Sequence, residues 1–263
     1  MKRFIGPACI CAMILFYAAG MAEAQTTVQL ELVNANYFNP PITDNGVYAG
    51  PYTGGIVNGN GSVSPTFAII CDNYDTDVST GLQWLAAGVT LSQEFNANVP
   101  PPLKLENSLS SGLSAYNNGN PVTAELAYEA AAWMAQQIMQ IGSGSPNSLS
   151  AMQQQAIADY NWAIWALFSN NAVANAGGFD PGAQQDLKTA LGNSYTLSQF
   201  DNVTFWVPYN SVPPNSNCSL GSPCYGVSQE YITVTPEPKS MLLFGTGLLA
   251  IAFVLRRRHL RNA

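Results

Sequence analysis

Two apolar segments, one near each end of the chain, limit which residues can form a folded domain. The first, residues 4–19, follows two basic residues and precedes Ala22-Glu23-Ala24, a small-x-small cleavage pattern. This order predicts a secretory signal peptide over residues 1–24 and a mature protein that starts near Gln25. The segment is short and contains Gly6 and Pro7, which disfavours an N-terminal membrane anchor.

The second apolar segment predicts a single transmembrane helix over residues 240–255. At about 1.5 Å per residue it extends about 24 Å, which is usable for a hydrocarbon layer of about 30 Å. The basic residues Arg256, Arg257 and Arg258 follow it directly. By the positive-inside rule these three side chains stay cytoplasmic, so the preceding domain lies outside the inner membrane. We therefore expect one exported domain over residues 25–235.

The segment before this helix begins with Pro236, Glu237 and Pro238. The order Pro-Glu-Pro, apolar helix, arginine run resembles the PEP-CTERM sorting signal of Gram-negative bacteria, over residues 236–263. The resemblance implies that an exosortase-type transpeptidase recognises the tail, and that the protein is an inner-membrane single-pass intermediate before it reaches the cell surface or the exterior. It also implies an association with exopolysaccharide, and the same tail occurs in some proteins named as ice-binding. The tail predicts a destination and leaves the activity of the domain open.

The charge of the central region excludes several classes of function. Residues 25–235 contain fourteen acidic residues but only two lysines, Lys104 and Lys188, and no arginine. Such a domain lacks the cationic groups that bind phosphates, so we expect no nucleic-acid partner. The only histidine is His259, in the basic tail. Histidine-dependent triads and histidine-ligated zinc sites are therefore excluded from the domain, and we expect a protein without a cofactor that is not an enzyme.

The pattern of the domain predicts an α+β fold with a turn-rich β part first, three to four central helices next, and strands at the end. Alternating apolar residues predict a strand over 28–33, and the apolar run 67–71 predicts a buried strand. Turns are expected where glycine and asparagine cluster. These are Asn45-Gly46, Gly54-Gly55 and residues 58–61.

The helices are predicted from their first residues. Asn120 can cap a helix that has Pro121 at its first position, Ser150 and Gln153 form a capping box, and Asp180-Pro181 starts a third helix. Ile157, Asn161, Ile164 and Phe168 share one face of the second helix. The closing strands are predicted over 203–207 and 231–234.

Three cysteines remain after signal-peptide removal. Cys218 and Cys224 enclose a short polar loop, so in an oxidising compartment we expect these two to form a disulfide. Cys71, at the end of the apolar strand, is then left as a buried thiol.

Cys71 also has a second interpretation. Ile69-Ile70-Cys71-Asp72, together with the later segment Tyr160-Asn161-Trp162-Ala163-Ile164-Trp165, resembles the two motifs of thioester domains in Gram-positive surface adhesins. In that family a cysteine and a glutamine join as an internal thioester that acylates amines. Asn161 stands here where the family has glutamine, so the resemblance implies a thioester-like pair of Cys71 and Asn161. Otherwise, Asn161 is a buried amide that satisfies backbone groups.

Two clusters of acidic residues are the remaining candidate sites. Asp72, Asp75 and Asp77 carry oxygen ligands that could hold Ca²⁺, although most such clusters are solvated turns and we expect no metal. Glu125 and Glu129 lie four residues apart on one helix, as a carboxylate pair or a solvated face. The favoured function is a non-enzymatic exported surface or matrix protein. The alternatives are an adhesion module with a reactive Cys71 and a secreted hydrolase that uses carboxylates.

Overall fold

A computed structural model describes residues 26–75, 79–97, 103, 105, 108–143, 147–208 and 229–235. These residues contain both helices and strands, which confirms the predicted mixed α and β character. The first part of the described chain is rich in strands, the middle is helical, and the last two elements are strands.

Six strands form a closed barrel in the order β1-β4-β5-β8-β7-β6, and every neighbouring pair is antiparallel. A separate hairpin consists of β2 and β3. The strands are β1 Thr26–Asn34, β2 Thr43–Asp44, β3 Val47–Tyr48, β4 Tyr52–Val57, β5 Val63–Cys71, β6 Gln83–Val89, β7 Val203–Pro208 and β8 Tyr231–Val234.

The two faces of the barrel wall bury different sets of side chains because successive residues of a strand point in opposite directions. One face forms a compact cluster that fills the barrel interior, and it includes Leu30, Ile69, Cys71, Trp84 and Tyr231. The opposite face contributes to the larger core shared with the helices, through side chains such as Ile70, Phe205 and Ile232. The strand that ends at Cys71 therefore joins the two cores.

Closure of the barrel depends on β4, which contains the predicted turn Gly54-Gly55. That prediction is wrong, since both glycines lie within a strand paired with β5. A Cβ at Gly54 would lie 2.8 Å from Cγ2 of Ile69, and one at Gly55 would collide with Cγ1 of Val63. The glycines are needed for this close approach of two strands, whereas Asn45-Gly46 does form the predicted turn, with φ of 49° and 79°.

Five α-helices are present among the described residues: α1 Leu91–Ala97, α2 Ala124–Ser143, α3 Ala151–Phe168, α4 Asn170–Ala174 and α5 Pro181–Gly192. The long helices α2, α3 and α5 pack on one another and share the larger core with the barrel. The capping box of Ser150 and Gln153 at the start of α3 is confirmed. Asp180 caps α5 as predicted, because its Oδ1 accepts hydrogen bonds from two backbone N–H groups.

The predicted start of α2 is wrong. The helix begins at Ala124, and the hydroxyl of Thr123 accepts a hydrogen bond from the backbone N–H of Leu126 at 3.2 Å. Asn120 and Pro121 lie before the helix. Thr123, not Asn120, provides the side-chain acceptor at the start of the helix. Within the described part of the chain, no helix combines the length and apolar character needed to cross a membrane. The predicted transmembrane helix over 240–255 lies outside that part.

Candidate functional site at Cys71 and Gln229

Cys71 is the last residue of β5, and its position is determined by pairing with β8. Cys71 lies opposite Tyr231 and Ile70 lies opposite Ile232. In an antiparallel pair, residues just after the end of one strand lie beside residues just before the start of the other. Gln229 precedes β8 by two residues and so lies close to Cys71, although 158 positions separate them in sequence.

The thiol and the carboxamide are in direct contact. The Cys71 Sγ lies 2.7 Å from Oε1 of Gln229 and 3.0 Å from the carbonyl oxygen of Asn73. The Nε2 of Gln229 donates a hydrogen bond to the same Asn73 oxygen at 3.1 Å. The exposed fractions of Cys71 and Gln229 are 2% and 1%. A thiol and a fixed carboxamide are therefore in contact in an environment that excludes bulk water.

Helix α3 holds the backbone of Cys71 from the other side. The indole Nε1 of Trp165 donates a hydrogen bond to the carbonyl oxygen of Cys71 at 3.0 Å. The ring of Tyr74 packs against both Trp162 and Trp165, with centroid distances of 5.1 Å and 5.4 Å. These contacts join the end of β5 and the following residues to the helical core.

The segment that follows Cys71 is also attached to the region around α4. Asn171 donates a hydrogen bond to Oδ1 of Asp75 at 2.8 Å, and Asn175 donates to the hydroxyl of Tyr74 at 3.1 Å. Residues 72–75 are thus positioned by side chains distant in sequence. The carbonyl of Asn73, which contacts both the thiol and the carboxamide, belongs to this segment.

Two acidic residues adjoin the pair in sequence: Asp72 follows Cys71, and Glu230 follows Gln229. Both are completely buried. Burial raises the pKa of Tyr128 well above its usual value, and the negative charges of Glu230 and Asp72 raise it further. Burial likewise raises the pKa of Tyr231, with Cys71, Tyr52 and Asp72 as further causes. The surroundings of the pair thus combine burial with two acidic side chains.

Comparison with known proteins identifies the end of the chain. Residues 234–258 match the PEP-CTERM protein-sorting motif. The chain carries a PEP-CTERM sorting signal. This signal identifies an exported protein that is recognised by exosortase and directed through the membrane to the cell surface. No curated protein and no solved structure matches the chain, so the PEP-CTERM signal identifies the tail and leaves the domain to be interpreted from its geometry.

Most residues of the PEP-CTERM signal, and both cysteines of the predicted disulfide, lie outside the described part of the chain. Pro236, Glu237 and Pro238 lie outside the described residues, as do Arg256, Arg257 and Arg258. Cys218 and Cys224 also lie outside them, so their pairing stays a prediction.

No hydrogen bond joins Asn161 to Cys71 among the described residues. Asn161 is buried on the predicted face of α3, and neither of its amide atoms has a hydrogen-bond partner within the described part of the chain. The prediction that its amide satisfies backbone groups is therefore wrong. The amide that contacts the sulfur belongs to Gln229, a residue the sequence analysis did not select. In the sequence, Gln229 lies two residues before the predicted strand 231–234. Its closeness to Cys71 depends on the pairing of that strand with β5, which no local pattern shows.

The acidic candidates are separated by the fold. Asp72 is buried, whereas Asp75 is exposed and accepts the hydrogen bond from Asn171. Asp77 lies outside the described residues, and those residues contain no group of three potential ligands that could hold a metal ion. Glu125 is exposed, and the pKa of the half-buried Glu129 is raised by burial and by the charge of Glu125.

Proposed function

We propose that this protein is a non-enzymatic surface module whose domain forms an internal thioester between Cys71 and Gln229. The thioester would then acylate an amine on a partner surface. The PEP-CTERM signal supports delivery of this domain to the cell surface. The observation that carries the proposal is the distance of 2.7 Å between Sγ of Cys71 and Oε1 of Gln229, with both side chains buried.

The proposed chemistry balances without an oxidant or a cofactor. The Cys71 sulfur attacks the carboxamide carbon Cδ of Gln229, a C–S bond forms, and the C–N bond breaks. The nitrogen leaves as ammonia and takes the thiol proton with it. In the second step an amine attacks Cδ, the new amide forms, and Cys71 is released as a thiol.

Two contacts position the pair for the first step. The Asn73 carbonyl accepts the hydrogen bond from Nε2 of Gln229, which orients the carboxamide, while Trp165 holds the backbone of Cys71. Such positioning lowers the entropic cost of bringing two groups together. Burial limits access of water, which would otherwise hydrolyse the bond.

A second candidate is a surface or matrix protein in which Cys71 stays a thiol that only hydrogen bonds to Gln229. The burial of Cys71 favours this candidate, because a buried thiol is commonly inert. The predicted association with exopolysaccharide is compatible with either form. A carboxylate hydrolase gains no specific support, since Glu125 and Glu129 lie on a single helix.

The two candidates differ in their reaction with a small amine. The mature protein recovered from the producing cell is incubated with methylamine and analysed by peptide mapping. The proposal predicts one methylamide at Gln229 and one equivalent of Cys71 thiol that becomes reactive to an alkylating agent. Cys71→Ala should abolish the label, while Gln154→Ala, a matched glutamine substitution on α3, should leave it unchanged. The absence of methylamine at Gln229, or its incorporation into the Cys71→Ala variant, would refute the proposal.

A further inference from the structure

A polar groove of about 700 Å³ lies between the second half of α2 and the chain around Gln199 and Asn202. Its volume is within the range of about 300–1,000 Å³ that is typical of small-molecule sites. The groove is lined by residues other than Cys71 and Gln229, and it reaches Thr235, which directly follows β8. It is therefore a site separate from the proposed thioester.

The chemistry of the groove is uncharged. Its polar lining consists of carboxamides and hydroxyls, among them those of Gln137, Gln140, Ser143 and Ser198. Among the described residues, no acidic or basic side chain lines it. A carboxamide offers two donors and an acceptor, and a hydroxyl both donates and accepts. These groups match a ligand with many hydroxyls, and they provide no counter-charge for a phosphate, a carboxylate or an ammonium group.

Part of this lining is already held in place. The Nε2 of Gln136 donates hydrogen bonds to the carbonyl of Gln199 at 3.1 Å and to Oδ1 of Asn202 at 2.8 Å. These bonds join α2 to the opposite wall of the groove. Met139 and Val234 add apolar surface to the same groove. A pyranose ring has the same combination, with hydroxyls at its edge and C–H groups on its faces.

We propose that this groove binds a neutral oligosaccharide. The groove combines carboxamides and hydroxyls from α2 and from residues 198–202 with the apolar side chains of Met139 and Val234. No tryptophan, tyrosine or phenylalanine lines the groove within the described part of the chain, so the affinity rests on hydrogen bonds. Because Thr235 directly precedes the PEP-CTERM tripeptide, the site lies where the domain meets its sorting signal.

The test uses the mature full-length exported protein and three neutral probes: maltotriose, cellotriose and triacetylchitotriose. Ligand-observed NMR and calorimetry measure binding, with trigalacturonate as the anionic counterpart. We expect at least one neutral probe to bind and trigalacturonate to bind more weakly. The double variant Gln137→Ala and Gln140→Ala should weaken binding about tenfold, because it removes two polar groups.

The variants suit this test because alanine favours helix and neither glutamine side chain makes a hydrogen bond within the described residues. Gln185→Ala, an exposed glutamine on α5, is the matched control and should bind as the wild type does. Cys71→Ala should also bind normally, which separates this site from the thioester. Failure of all three neutral probes, equal binding of trigalacturonate, or unchanged affinity in the double variant would overturn the proposal.

Discussion

Replacing Trp165 with phenylalanine removes the indole N–H that holds the backbone of Cys71. The hydrogen bond is 3.0 Å long, and both residues are buried, with Trp165 only 3% exposed. A buried carbonyl that loses its donor costs about 1–3 kcal/mol of stability. For a domain of this size each kcal/mol lowers Tm by about 2–4 °C, so Trp165→Phe should lower Tm by about 2–12 °C.

The same substitution should reduce the fraction of protein that carries the proposed thioester of Cys71 and Gln229, because the strand end that positions the sulfur becomes less well held. Thermal unfolding followed by circular dichroism measures the first effect, and intact mass of the same sample measures the second. Trp133→Phe is the matched control, since Trp133 is half-buried on α2 and packs against Tyr160 with a centroid distance of 5.9 Å. It should leave the bonded fraction unchanged.

The positioning role of Trp165 is refuted if Trp165→Phe matches the wild type both in Tm and in the fraction of protein that carries the thioester. It is also refuted if Trp133→Phe lowers the bonded fraction as strongly as Trp165→Phe does. In either case the indole of Trp165 would not position the sulfur.

Three further predictions concern other parts of the molecule. Burial and neighbouring carboxylates raise the pKa of Asp186 from 3.8 to about 6. The folded state therefore holds a proton that the unfolded state releases, so stability should fall as pH rises through about 4 to 6, and urea titrations of Asp186→Asn should show a weaker dependence. Gly142→Ala should lower stability by about 1–3 kcal/mol because its Cβ would collide with the ring of Phe38, whereas Gly59→Ala meets nothing and should be neutral by the same titration. Alanine in place of residues 236–238 should leave the protein uncleaved in the membrane of a host that contains an exosortase. The reason is that proline keeps this segment from continuing the membrane helix. Fractionation measures release of the wild type and of the alanine variant, and equal release of both would contradict the prediction.

The parts of the fold that were predicted correctly depend on local signals. The strand at β1 follows from alternation of apolar residues, the start of α3 from Ser150 and Gln153, and the β2–β3 turn from Asn45-Gly46. Each of these signals acts within a few residues of the chain. Their physical cause is therefore visible in the sequence without knowledge of the neighbours.

The closed barrel depends instead on long-range pairing. Its edges are joined where β1 pairs with β6, with Leu30 opposite Trp84. A glycine pair is typical of a turn, and only the side chains of the facing strand show that Gly54 is needed within β4. No local pattern contains this information.

The candidate site was predicted in part for the same reason. Cys71 was recognised because it follows an apolar strand, and Trp165 belonged to the motif that resembles thioester domains. Gln229 was missed because its importance comes from the pairing of β5 with β8, not from its own neighbours. Asn161 occupied the expected motif position, yet it is buried on α3 and its amide makes no hydrogen bond within the described residues.

The intact mass of the mature protein shows directly whether Cys71 and Gln229 are joined as a thioester. After reduction of disulfides, we expect a mass about 17 Da below that of the mature sequence, equal to the loss of one ammonia. Peptide mapping should assign the difference to Cys71 and Gln229, and Cys71→Ala should show no such loss. If freshly isolated wild-type protein has the mass of the unmodified mature sequence, with Gln229 as a carboxamide and Cys71 as a thiol, then the two residues do not form a thioester.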